Sequence, residues 1–203
     1  MPEIFKKIAD EGSFRVLGIN EMKLYSDMKS SFDALPPNAS EKLAERAKKA
    51  AETPSPRLSA SEYAMFGEIG DRAVYEGSYF SRRRRMLNIA LGVIAGSTEL
   101  VKPLADAVWE ICEETTWVIP AHNPGGGRDR LSYDYREPIF IDLFSAATAG
   151  DLAMVYSFCK KELDAFTPMI CERLLYELDR RIFKPFLSRD DMWWMGFDDR
   201  HTN

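Results

Sequence analysis

His122 lies between Ala121 and Asn123, after the apolar run Trp117-Val118-Ile119-Pro120. An imidazole placed there can hydrogen-bond a carboxylate or move a proton near neutral pH. Three of the four tryptophans, Trp117, Trp193 and Trp194, sit beside predicted helix ends. A flat apolar face with one N–H donor suits a pyranose ring. Arg82-Arg83-Arg84-Arg85 offers guanidinium groups that bind carboxylate or sulfate through two parallel hydrogen bonds. Successive helical residues turn by about 100°, so no more than two of these arginines share a face. The plainer reading of the run is a solvated face, ion-paired to Glu110, Glu113 and Glu114. Asp142 falls within an apolar stretch, where a charge is costly unless paired, and an arginine is its expected partner.

The elements that must hold these groups are helical. Val101, Leu104, Val108 and Ile111 follow the three-and-four spacing of one helix face. Tyr79–Ala95 reads as a helix, Gly96-Ser97 as a turn, and Pro103 as part of the first turn of a return helix ending near Thr115. Ile139–Lys160 is apolar nearly all round, which predicts a helix surrounded by others. Thr167–Leu187 is amphipathic, with Ile170, Leu174, Leu178 and Ile182 inward. Upstream, Asn20–Leu35 and Glu41–Glu52 are predicted helices, the second capped by Asn38 or Ser40 and poor in large apolar groups. It is expected on the surface. Thr53-Pro54-Ser55-Pro56 breaks it, which divides the chain into a helical arm over residues 1–58 and a main domain over 59–203. A further helical segment begins near Ser59 or Ser61, with Gly67, Gly70 and Gly77 weakening its continuity. The Trp117–Pro138 connection is longer than about a dozen residues, and such loops are commonly functional.

Composition sets limits on function. At 203 residues, with 45% hydrophobic residues, the chain can bury a sizeable core. The net charge of −5 argues against a general nucleic-acid binder, because phosphate neutralisation needs a basic surface. No apolar run approaches the roughly 20 residues needed to span a bilayer, so no membrane partner is expected. Met1–Lys6 does not lead into a signal-peptide core. As written, the chain is expected in the cytoplasm, and in the periplasm or outside the cell if its amino terminus was trimmed. Cys112, Cys159 and Cys171 lack metal-ligand spacing and read as small core residues, so neither a metal nor a cofactor is expected.

The two hairpins form a loose repeat: a buried helix, a turn holding Glu99-Leu100 or Glu162-Leu163, a proline (Pro103, Pro168), and an amphipathic helix. This order, together with Arg82–Asn88, Ala107–Glu114, Trp117–Asn123, Ile141–Ala146 and Trp193-Trp194-Met195-Gly196, resembles the heparinase II/III-like polysaccharide lyases over roughly Tyr79–Asn203. The resemblance implies an all-α fold, an incomplete α/α toroid built of antiparallel helical hairpins. It also implies β-elimination on uronic-acid-containing polysaccharide, so that an acidic polysaccharide or oligosaccharide is the expected partner. Trp117, His122, Asn123, Trp193 and Trp194 then become candidate substrate-binding residues. Asn203 becomes the candidate catalytic residue that neutralises the uronate carboxylate.

In the family an Asn-Trp or Asn-His motif follows the tryptophan pair, whereas this sequence ends at His201-Thr202-Asn203. The tyrosine-bearing helices and β-sandwich implied by the resemblance have no counterpart here. The expectation is therefore the first half of a toroid, inactive alone because base and neutraliser must share one cleft. The rival expectation is a non-enzymatic helical-repeat scaffold that binds protein or carbohydrate on its concave face. A glycoside hydrolase relative would need two facing carboxylates, and no such pair stands out in the loops.

Overall fold

The computed structural model describes Glu21, Asp27, residues 30–123 and residues 139–196. Among these residues the fold is all-α, with seven α-helices and no strand. They are α1 (Pro37–Glu52), α2 (Ala60–Ile69), α3 (Ala73–Ile94), α4 (Val101–Cys112), α5 (Leu143–Phe166), α6 (Met169–Leu178) and α7 (Lys184–Ser188). A wide π-helical turn over Asp179–Phe183 joins α6 to α7 without a break. No helix among the described residues is long and apolar enough to cross a membrane.

Local chemistry explains the boundaries. Ser59 caps α2 in a reciprocal capping box with Glu62, and Gly70 ends it at φ +78°. A left-handed residue there closes one helix and lets α3 start in a new direction. Gly96, at φ +101°, turns α3 into the antiparallel α4. Helix α1 starts at Pro37, earlier than the expected caps. Proline at a first turn lacks only an N–H that would be unpaired anyway.

The main core lies between α3, α4, α5 and α6, where Met86, Ile89, Leu104, Val108, Ile111, Leu152, Cys159, Leu163 and Leu174 are sealed from solvent. The expectation that α1 lies on the surface holds for its charged side only. Its alanine face is in the core: Ala47 is fully buried, and a Cβ built on Gly92 would come within 2.5 Å of the Ala47 Cβ. Small residues on both helices allow this approach.

Helix α5 differs from its prediction as well. It begins at Leu143 behind an Asp142 cap, and one side is uncovered, with Met154 exposed beside the half-buried Phe158. These two line an apolar groove of about 170 Å³ with Leu87, Leu91 and Ile94 of α3.

Candidate functional site

Asp142 organises the end of the bundle nearest the predicted site. Its Oδ1 accepts from the Ser145 backbone N–H at 2.7 Å, while its own N–H donates to Ser145 Oγ at 2.9 Å. That capping box starts α5 and leaves Oδ2 for another donor. His122 supplies it, with Nδ1 2.9 Å from Asp142 Oδ2. An arginine partner was expected for this aspartate, but the cap and the imidazole satisfy it instead.

His122 belongs to a single turn, Pro120–His122, and its ring stacks on Phe144 with centroids 5.2 Å apart. Its side chain is 30% exposed. The carboxylate accepts, so Nδ1 donates to it and Nε2 is the ring nitrogen left for another partner. Among the described residues Nε2 has no hydrogen-bond partner. The result is an oriented, half-open imidazole that can accept a proton or hydrogen-bond a ligand.

The double-tryptophan segment comes to the same place. Trp194 Nε1 donates to the Ile141 carbonyl at 2.7 Å, and Arg189 donates to the Ile139 carbonyl. Trp194 stacks parallel to Phe186, centroids 6.3 Å apart, whereas Trp193 is 45% exposed. The short segment from Ile139 to Asp142 thus receives Trp194 at Ile141 and His122 at Asp142. These contacts bring His122 and Trp194 to one end of α5, with the exposed Trp193 next to Trp194 in the chain.

Trp117 and Asn123 are placed otherwise. Trp117 has no accessible surface; its Nε1 donates to the Ile111 carbonyl at 2.9 Å, and Arg181 lies over its ring at 4.7 Å. A ring without an open face cannot stack on a sugar, so Trp117 is a core residue. Asn123 is buried too, its backbone N–H turned to the Ile119 carbonyl. Asn203 lies outside the described residues, as does the glycine-rich part of the 117–138 loop.

Beneath this end lies a polar network that periodicity did not reveal. Arg83 is 5% exposed and holds Glu114 through two hydrogen bonds, at 2.9 and 2.6 Å. Its Nε donates to Thr148 Oγ1 at 3.0 Å, and its guanidinium covers the Tyr79 ring at 3.3 Å. The Tyr79 hydroxyl donates to the Trp117 carbonyl at 2.9 Å and lies 2.8 Å from Thr148 Oγ1. Burial pushes that phenol well above its ordinary pKa, so it stays neutral. The expected ion pairs form, Arg82 and Arg83 with Glu114 and Arg85 loosely with Glu110, but Arg83 and Glu114 are buried rather than on a solvated face.

On the opposite side Glu177, also buried, accepts from Arg173 at 3.1 Å, Arg180 at 2.7 Å and Arg181 at 2.6 Å. Burial raises its pKa, and the hydrogen bonds from Arg181 and Arg180 more than reverse this, leaving it below the ordinary glutamate value. Arg181 also donates to the Glu114 carbonyl at 2.7 Å, and Arg173 to the Cys112 carbonyl at 3.2 Å. These arginines satisfy the open carbonyls at the C-terminus of α4, where cations are favoured by the helix dipole. Five arginines around two carboxylates thus fix the geometry of the 114–122 segment.

No family model matches this chain, and no curated protein matches it.

Proposed function

We propose that this chain is the amino-terminal, toroid-type portion of a heparinase II/III-like polysaccharide lyase, forming one wall of a cleft for uronic-acid-containing polysaccharide. The observation that carries the reading is the meeting of Trp194 and His122 on the neighbouring residues Ile141 and Asp142. Three sequence segments that carry the resemblance, far apart in the chain, adjoin at one helix end. There an exposed indole face and a half-open imidazole are the parts that sugar stacking and carboxylate recognition need.

β-Elimination removes the proton beside the uronate carboxyl, which becomes acidic enough only when that carboxylate is neutralised. In this reading His122 Nε2 faces the acidic sugar, Asp142 orients the ring, and Trp193 supports a pyranose face. Asn203 is proposed as neutraliser. The uncovered side of α5 is where the next hairpin of a toroid would pack.

Uronate oligosaccharides titrated into the chain should shift the resonances of His122 and Trp193. His122→Ala and Trp193→Ala should each weaken binding by about tenfold or less, as loss of one exposed contact does. Elimination itself is tested in the product of the whole parent reading frame, by the absorbance of unsaturated uronate on heparan-, alginate- or chondroitin-like chains. No signal there argues against the reaction.

The uncovered groove of Leu87, Leu91, Ile94, Met154 and Phe158 favours a second reading, a scaffold that holds a partner protein along α3 and α5. Met154→Asp separates the two: it should abolish protein capture on the scaffold reading and leave saccharide binding unchanged on the lyase reading.

A further inference from the structure

An open groove of about 240 Å³ lies between α1 and α3, lined by Arg46, Lys49, Ser81, Arg84, Arg85 and Asn88. We propose that it binds a phosphate monoester, held by Arg46 and Lys49 from one helix and by Arg84 and Asn88 from the other. The packing of the two helices explains why these cations meet. Ala47 comes so close to Gly92 that a Cβ there would lie 2.5 Å from the Ala47 Cβ, and Arg85 Nε donates to the Thr53 carbonyl at 3.1 Å. Those two contacts set α1 and α3 antiparallel. Arg46 and Lys49 are three residues apart on α1, while Ser81, Arg84, Arg85 and Asn88 follow the three-and-four spacing of one α3 face. Each set therefore shares one side of its helix, and both sides border the groove.

The sign of the ligand follows from which charges are already spent. Arg85 is largely spent: its Nε and Nη2 donate to the Thr53 and Ala51 carbonyls at the end of α1, and Nη1 stands 3.8 Å from Glu110. Arg46, Lys49 and Arg84 are not, because among the described residues their side chains make no hydrogen bond or ion pair. No carboxylate lines the groove, although the chain as a whole carries a net charge of −5. Like charges gathered without a counterion repel one another, and an anion seated between them removes that cost. A second feature agrees. Arg85 Nη1 is buried and makes no hydrogen bond, whereas buried donors are ordinarily paired. Even the engaged arginine thus leaves one donor over.

Charge and shape select the class of anion. A phosphate monoester carries about 1.5 to 2 negative charges at neutral pH and three strong acceptor oxygens, which donors on two facing helices can share. A carboxylate offers one charge in one plane, and a sulfate monoester has the right shape with a single charge. The Asn88 amide and the Ser81 hydroxyl add neutral donors. Because the groove is open, the organic part of the ester can stay in solvent. No reaction is implied. The site is independent of the saccharide reading, since neither His122 nor Trp194 lines it.

The test is a titration of the isotope-labelled chain with phenyl phosphate at neutral pH, followed at the backbone amides and side chains of Arg46, Lys49, Arg84 and Asn88. Phenyl sulfate is the singly charged control, and sodium chloride at equal ionic strength controls for screening. Phenyl phosphate should give one saturable curve shared by both helices, phenyl sulfate should bind several-fold more weakly, and chloride should give no saturation. Lys49→Gln and Arg84→Gln, both at exposed positions, should each weaken phenyl phosphate about three- to fivefold, and the double variant about tenfold. Absence of saturable shifts with phenyl phosphate, equal binding by phenyl sulfate, or unchanged affinity in the double variant would each overturn the assignment.

Discussion

Glu114 and Arg83 form a two-fold hydrogen-bonded ion pair, at 2.9 and 2.6 Å, with both side chains almost wholly buried. The pair ties α3 to the turn after α4, and the Trp117–His122 segment starts from that turn. Removing Arg83 leaves the buried Glu114 with Arg82 as its remaining counterion and without its two hydrogen bonds. Arg83→Met should therefore lower unfolding stability by up to about 3 kcal/mol, measured by urea denaturation. Replacing both residues with apolar groups should recover much of that loss.

Glu177 makes stability depend on pH. Its folded pKa lies below the unfolded glutamate value of 4.5. Its contribution is therefore complete above about pH 4.5 and is lost as pH falls through the lower folded value. Urea melts from neutral to acid pH should show this loss, and Glu177→Gln should show a shallower acid slope from a lower starting stability.

Gly92 faces Ala47 across α3 and α1, with a hypothetical Cβ only 2.5 Å from both the Ala47 Cβ and Leu100 Cδ1. Gly92→Ala gains helix propensity but must push the helices apart. A net loss of about 1–3 kcal/mol is expected, read from thermal or urea unfolding.

The three cysteines are buried, and burial pushes the thiols of Cys112 and Cys159 up to about 12 and that of Cys171 up to about 11. Only the thiolate reacts. Iodoacetamide at pH 8 should leave the native chain unmodified and alkylate all three positions in denaturant.

Periodicity could place α4 and α6, because each has an apolar and a charged side. The arginine run could be matched to Glu114 but not to a buried pair, since which of four successive arginines faces inward is decided by a partner 31 positions away. Trp117 failed as a ligand candidate for a related reason: sequence gives residue type, not which side of a loop is sealed. Asp142 before Leu143-Phe144-Ser145 carries a cap signal, Asp followed three residues later by Ser, and the two side chains bond each other's backbone N–H at the start of α5. The aromatic series Tyr63, Tyr75, Tyr79, Phe80, Phe144 and His122, each ring against the next, joins three helices to one loop turn and has no signature in any one segment.

Asp142→Ala should remove both the α5 cap and the acceptor for His122. The cap accounts for about 0.5–2 kcal/mol of stability, measurable by thermal unfolding. Asn, which keeps a capping oxygen, should lose less.

The most direct test is an isotope-edited titration of this chain with an unsulfated uronate tetrasaccharide, following the His122 ring and the Trp193 indole together. A cleft wall predicts that both signals move with one saturation curve and that His122→Ala weakens it. Unchanged His122 and Trp193 signals at saturating oligosaccharide would contradict the account.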